Sequence, residues 1–368
     1  MKQIFYDYQI FLYQQYGGIS RYFYELAQRI ERMDGFSASV FAPLHANGYL
    51  SMGGVDAFGL KVKKLPKIWR LYEALDVALT KGYLAISKPA IVHETYYRRR
   101  SLAPKSSLTV VTVYDMIHEK FSDMFHARDN TTALKRSAVT RADRVICISE
   151  HTRRDLIELF GVPEEKTVTI QLGFGLESSV DLGTIPADTS GRPYLLYVGN
   201  RDFHKNFKGF LRAFGASPVL RDNFSIVAFG GPPLSVTDYR LIDQYNIARS
   251  KIKWCSGSDD QLSELYRGAA AFVYPSFYEG FGIPPLEAMS CNCPVICSNA
   301  SSIPEVVGDA AVLFDPSDTD AMRVAIESVV TSESTRALLI ARGRRRIEVF
   351  SWDRCAAETA SVYCKMLN

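Results

Sequence analysis

The sequence predicts an α/β protein of two domains, each a mainly parallel sheet flanked by helices. Three observations carry that prediction. Short apolar runs alternate with helical patterns along the whole chain. At 368 residues the chain is too long for one ordinary core. Between Leu176 and Pro193, Gly183, Pro186, Asp188, Thr189, Ser190, Gly191 and Pro193 gather with few large apolar side chains, which reads as a linker.

Taken in order, the strands expected in the first half are Lys2–Tyr6, Ala38–Phe41, Ala90–His93, Leu108–Val113 and Arg144–Ile148. Helical stretches fall between them, such as Ser20–Arg32 and Asn130–Ala142, and Ser149 is a fitting N-cap for the helix that follows. A second α/β pattern opens at Tyr194–Val198 and continues through Ser225–Phe229, Ile252–Cys255, Ala270–Tyr274, Val295–Cys297 and Ala311–Phe314. Near the end, Ser351 is placed to cap a helix carrying Cys355, Thr359 and Val362 on one stripe.

Composition narrows the function classes. With 47% apolar and 23% charged residues the chain is an ordinary soluble globular protein. A net charge of +3 is too small to imply nucleic acid, and no dedicated nucleic-acid motif is present. No apolar run reaches the length of a membrane span. The segment Met1-Lys-Gln-Ile-Phe-Tyr-Asp-Tyr lacks the apolar core of a signal peptide, so the expected location is cytoplasmic. The seven cysteines are scattered, and Cys291, Cys293 and Cys297 flank an apolar strand, where thiols act as small hydrophobes rather than as a zinc set.

The most informative segment runs from Tyr274 to Ser290. An apolar strand gives way to a loop carrying Gly280 and Gly282, and Pro284 and Pro285 suit the first turn of a helix. A strand, a glycine loop and a helix N-terminus make an anion site. Glu279 hangs in the loop and Glu287 lies about one turn into the helix. Carboxylates beside an anion site accept hydrogen bonds from hydroxyls. Two of them suit a ligand with hydroxyls on both sides of a phosphate bridge, which describes a nucleotide sugar.

This segment resembles the signature of retaining glycosyltransferases of family 4, two glutamates separated by seven residues. The match continues through Cys293-Pro-Val-Ile-Cys-Ser298 and from Ile303 to Pro316. The resemblance implies the GT-B fold, two Rossmann-like domains facing a central cleft. Residues 1–180, completed by a C-terminal helix at 352–368, would form the acceptor domain, and residues 190–350 the donor domain. It also implies roles. Glu279 would grip sugar hydroxyls, helped by amides at Gly280, Phe281, Gly282 and Ile283, while Glu287 would hold the ribose diol. The loop with Ser256 would lie by the base.

A second matching segment, Tyr197-Val-Gly-Asn-Arg-Asp-Phe-His-Lys-Asn206, has Gly199 at a strand end and a helix opening at Asn206. There Lys205, and Arg201 from an offset position, would hold the donor pyrophosphate, whose charge grows as the glycosidic bond breaks. A third, Tyr16-Gly-Gly-Ile-Ser-Arg-Tyr22, follows the first strand; the resemblance implies a glycine loop there in which Gly18 lets backbone amides approach the donor from the opposite wall of the cleft, with Arg21 behind it, and a plain strand-to-helix turn is the other reading. A fourth, Val113-Tyr-Asp-Met-Ile-His-Glu119, has Tyr114 where relatives often carry histidine. Asp115 there is either a group that orients or deprotonates the acceptor, with His118 assisting, or a helix-start aspartate.

Asp318-Thr-Asp320 has the spelling of a metal-binding Asp-x-Asp but reads as a capping segment, so neither metal nor cofactor is expected. Lys61, Lys63, Lys64, Lys67 and Arg70 crowd beside Leu65, Ile68 and Trp69, and Tyr96-Tyr-Arg-Arg-Arg100 adds aromatics next to cations. Such segments suit an anionic membrane surface. The expected partners are a nucleotide sugar, best guess GDP-mannose, a lipid-linked glycan acceptor, and the inner face of the plasma membrane. The product would be a surface polysaccharide. A nucleotide-sugar epimerase of the same fold and a non-catalytic nucleotide-sugar binder are the alternatives.

Overall fold

The computed structural model describes residues 1–65, 68–175 and 191–368. The expected linker therefore lies outside the described residues as far as residue 190, as does Lys67. The chain divides into two compact units, Met1–Gly173 with Ser351–Asn368, and Phe174–Phe350.

The first unit holds a seven-stranded parallel sheet of order β3-β2-β1-β4-β5-β6-β7. Its strands are β1 Lys2–Tyr6, β2 Phe36–His45, β3 Ala57–Lys61, β4 Ile91–Glu94, β5 Leu108–Val113, β6 Arg144–Cys147 and β7 Thr167–Thr169. The second unit holds a six-stranded sheet of order β10-β9-β8-β11-β12-β13. Here β8 is Tyr194–Val198, β9 Ser225–Phe229, β10 Ile252–Cys255, β11 Ala271–Tyr274, β12 Val295–Ser298 and β13 Ala311–Phe314. Every pairing in both sheets is parallel. The inner strands are buried along nearly their whole length, which explains their continuous rather than alternating apolar runs.

The edge strands β3 and β7 escaped the sequence reading. Strand β3 is only five residues long, exposed throughout, and carries Gly59 at its centre, so it lacks the continuous apolar run that marks the inner strands. The helix Trp69–Ser87 also went unread, and its buried residues are Asp76, Thr80 and Leu84.

Caps set the helix starts. Ser149 and Ser351 each accept a hydrogen bond from the backbone amide three residues on, and Asp318 accepts from Asp320 and Ala321 as expected of a capping segment. Cys355, Thr359 and Val362 are all buried in helix Trp352–Leu367. That helix is fastened to the first sheet through Tyr363, whose hydroxyl lies 2.6 Å from His93 Nδ1 and 3.3 Å from the Tyr6 hydroxyl. Thr112 holds the other His93 nitrogen at 2.8 Å. Burial pushes the His93 imidazole down to about 3, so it stays neutral between its two hydroxyl partners.

Asp76 fixes helix Trp69–Ser87 to β2 by accepting from the Leu44 amide at 2.8 Å, beside the register shift between Phe41 and Leu44. Its second oxygen is buried with no hydrogen-bond partner among the described residues. Burial pushes the carboxyl up from 3.8 to about 7. Between those values the folded chain holds a proton that the unfolded chain has released. This group's contribution to stability therefore falls as pH rises through that window. Asp76→Asn keeps an acceptor for Leu44 and does not titrate. Its Tm relative to the parent is expected to rise by several degrees from pH 4 to pH 8; a difference that is flat with pH would show an ordinary carboxylate at Asp76.

Candidate functional site

In the second sheet the strand order reverses between β8 and β11, which lie side by side with Leu195 opposite Ala271. Loops leaving the carboxyl ends of two such strands diverge and open a crevice. The second sequence motif follows β8 and the glutamate motif follows β11, so the parallel fold brings them together although more than seventy residues separate them in the chain.

Three interactions join the two loops. The Phe277 amide donates to the His204 carbonyl at 2.7 Å, and Asn206 Nδ2 donates to the Pro275 carbonyl at 3.1 Å. Lys205 Nζ donates to both oxygens of Glu279, at 2.7 and 2.9 Å. Asn206 is itself the N-cap of helix Phe207–Ala216, in the left-handed conformation that asparagine tolerates. The ammonium of Lys205 also sits 5.5 Å from the centre of the Tyr274 ring. Burial first, then the Glu279 carboxylate, holds the Tyr274 phenol well above its ordinary value, so it remains protonated.

Glu279 is 8% exposed and its backbone is clamped from the far side. Its amide donates to Ser301 Oγ at 2.8 Å, while the Ser302 hydroxyl lies 2.8 Å from the Glu279 carbonyl and 2.6 Å from that of Phe281. Sequence reasoning missed these serines. The signal was the run Asn299-Ala-Ser-Ser302 immediately after β12, small and polar where the chain leaves a buried strand. Helix Ile283–Ser290 opens from Gly282 at φ 138°, with prolines in its first turn. No side chain fits that backbone without strain. The Phe281 ring is buried edge-on against Phe350. Glu287 lies on this helix, half-buried, with the Tyr266 hydroxyl donating to it at 3.4 Å.

Gly199 ends β8 at φ 126°, and a β-carbon there would meet open space. Ser256 lies in the exposed loop after the edge strand β10. Arg201 is not aimed at Glu279. Its guanidinium donates to the carbonyls of Gly230, Pro232 and Pro233 and pairs with Asp238 at 3.4 Å. Those contacts brace the turn that follows β9, while Nε is buried with no hydrogen-bond partner among the described residues.

In the first unit the strand order reverses between β1 and β4. A cavity of about 420 Å³ lies there, lined by Gln9 and Tyr13 after β1, Tyr97 to Leu102 after β4, and Lys81. Asp7 buttresses it, accepting from the Thr95 amide at 3.0 Å. Gln9 Oε1 is buried with no partner among the described residues. The sequence signal was the polar pair Asp7 and Gln9 directly after an apolar strand. Gly18 is the first residue of helix Gly18–Glu31, with open space where a β-carbon would be, and Arg21 pairs with Glu25 at 3.6 Å.

Asp115 and His118 are not grouped around one reacting position. The Asp115 carboxylate accepts from the Ile117 amide at 3.1 Å and lies 3.8 Å from Lys135 Nζ, the geometry of the helix-start reading. His118 stacks on Phe125 and sits 3.7 Å from Asp129.

Two family matches fall on this frame. Residues 16–178 match the model described as Glycosyltransferase Family 4, and residues 185–346 match Glycosyl transferases group 1. The chain belongs to glycosyltransferase family 4. Over 255 residues this family 4 chain is 33% identical to the O-antigen chain mannosyltransferase B of Escherichia coli, an alignment spanning 65% of this chain and 66% of the relative. It is 28% identical over 244 residues to the serotype-specific mannosyltransferase WbdA of Escherichia coli, spanning 62% of this chain but only 29% of that longer protein. Sucrose-phosphate synthase from Thermosynechococcus elongatus superposes with a TM-score of 0.76 at 19% identity, over 99% of this chain and 98% of that one. That likeness shows the fold, which is GT-B.

The Lys205–Glu279 pair makes its own prediction. With the pair's side chains only 20% and 10% exposed, removing the cation alone leaves a half-desolvated carboxylate without a partner. A double-mutant cycle of Lys205→Met and Glu279→Gln, read by urea unfolding, is expected to give a coupling of about 1–2 kcal/mol. Additive effects would mean that the two side chains do not hold one another in solution.

Proposed function

We propose that this family 4 protein is a retaining hexosyltransferase. It moves a hexose from a nucleotide-diphosphate sugar to a glycan acceptor carried on a lipid. The observation that carries the reading is the Lys205–Glu279 pair at the reversal point between β8 and β11, beside the Gly282 helix start. A cation and a carboxylate so close suit a ligand in which a diphosphate adjoins a polyhydroxylated ring. The names of the Escherichia coli relatives favour mannose, and hence GDP-mannose, as the donor.

In this reading the nucleotide lies along the carboxyl ends of β8, β11 and β10. Glu287 accepts from the ribose hydroxyls, and the loop with Ser256 borders the base. The backbone around Gly199 and the first turn of helix Ile283–Ser290 face the phosphates. Glu279 accepts from the sugar hydroxyls. As the bond from the anomeric carbon to the phosphate oxygen breaks, the electron pair goes to the diphosphate, and Lys205 stabilises that charge. The acceptor oxygen bonds to the same face of the anomeric carbon, and its proton passes to the departing phosphate oxygen. Configuration is retained with no enzyme nucleophile and no metal, and the protein contributes position and charge. The cavity at the β1–β4 reversal, with Gln9, Tyr13 and the cations Arg98, Arg99 and Arg100, suits an acceptor bearing phosphate. Gly18, Arg21, Asp115 and His118 are proposed to border the acceptor rather than to exchange protons with it.

Calorimetry with GDP, UDP and dTDP tests the donor site. GDP is expected to bind tightest, equally well with EDTA; binding of none would remove the donor site, and tight binding of another nucleotide would change the sugar set. Glu279→Ala should lower kcat by roughly 10²–10³ in a chain that still folds and unfolds cooperatively. An anomeric NMR signal showing inversion, or transfer abolished by EDTA and restored by manganese, would overturn the mechanism.

A further inference from the structure

Helix Trp69–Ser87 is built with its faces exchanged. Its buried residues are Asp76, Thr80 and Leu84, whereas Leu71, Leu75, Leu79, Tyr83 and Ile86 are exposed, Ile86 to 87%. At 3.6 residues per turn, Leu71, Leu75, Ala78, Leu79, Gly82 and Ile86 fall within an arc of about 100°. No charged residue lies in that arc. Arg70 and Lys81 fall together on one flank of it, and Lys88 follows at the helix end.

The apolar surface does not stop at the helix. The Tyr83 ring stacks on Phe41 at 4.3 Å, and Phe41 stacks on Phe58 at 5.1 Å. Phe58 and its strand neighbour Leu60 lie on β3, the sheet's edge, 66% and 72% exposed. Residues 57–88 carry Lys61, Lys63, Lys64, Lys67, Arg70, Lys81 and Lys88 against two acids only, Glu73 and Asp76. Asp76 faces inward to Leu44, and Glu73 accepts from the Tyr13 hydroxyl at 2.7 Å. The outer face is therefore leucine-rich with a cationic border.

We propose that this face lies flat on the anionic surface of a lipid bilayer. Charge complementarity selects that occupant: an apolar stripe enters the acyl boundary while flanking lysine and arginine heads reach acidic headgroups. No helix among the described residues is long and apolar enough to cross a membrane, and a helix of about 28 Å lying in the interface needs no such run. Asp76, by tying the helix to β2, presents the leucines outward as a fixed surface. The inference stands on the first unit alone and does not depend on the reaction proposed above.

Vesicle flotation of the full chain tests it. The chain is expected to float with vesicles of phosphatidylcholine and phosphatidylglycerol, to float weakly with phosphatidylcholine alone, and to be released by salt. Leu75→Glu with Leu79→Glu should abolish flotation with unchanged thermal unfolding, since both side chains are exposed. Arg70→Ala with Lys81→Ala should weaken partition by roughly 20-fold, about five-fold per cation. Three results would overturn the proposal. One is flotation that ignores anionic lipid, and another is flotation unaffected by the glutamates. The third is a protein that stays off vesicles but forms a dimer by sedimentation that the glutamates disrupt, which would assign the face to a second copy.

Discussion

The ion pair between Lys205 and Glu279 is the interaction on which the candidate site depends, because it joins loops that the chain places far apart. A parallel sheet forces that meeting. Strands β8 and β11 are neighbours at the point where the strand order reverses, so their outgoing loops share one crevice. A backbone hydrogen bond from Phe277 to His204 and one from the Asn206 side-chain amide to the Pro275 carbonyl hold the loops in register, and the ion pair closes the gap. Taking a carboxylate largely out of water is unfavourable unless a cation and fixed dipoles accompany it. Lys205 supplies the cation, and Ser301 and Ser302 fix the backbone that carries the carboxylate.

The same geometry recurs in the first unit with other chemistry. At the β1–β4 reversal the loops are joined by Asp7 and Thr95, and the cavity above them is lined by three arginines and two tyrosines, with Glu73 beside Tyr13. Both units open a crevice where strand order reverses, and side chains differentiate them. Arg201 illustrates the limit of motif transfer. Its place in the sequence suggests a phosphate ligand, whereas its guanidinium here donates to the carbonyls of the Gly230–Pro233 turn, where Gly230 also accepts from Trp254 Nε1.

Much of the fold was legible because buried parallel strands are short, continuous and apolar. Eleven of the thirteen strands among the described residues announce themselves that way or nearly so, with boundaries within a few residues, whereas β3 is exposed throughout and β7 is only three residues long. In helix Trp69–Ser87 the apolar period is present but its sense is inverted. Its leucines point outward and its inward face is polar, so the usual rule that periodic apolar residues mark the core misassigns it. Only the register with β2, set by Asp76 and Leu44, decides which face is buried.

The sequence by itself determined the class of fold, the helix caps at Ser149, Asp318 and Ser351, the family, and the identity of the residues flanking the glycine loops. Those features are local: a cap, a turn or an apolar run needs only its neighbours. The tertiary structure decided that Lys205 donates to both oxygens of Glu279, that Arg201 contacts the turn after β9, and that serines after β12 clamp the glutamate loop. Each of these joins residues from different strands. Their meeting follows from strand order, which is fixed by the packing of the whole sheet rather than by any one segment.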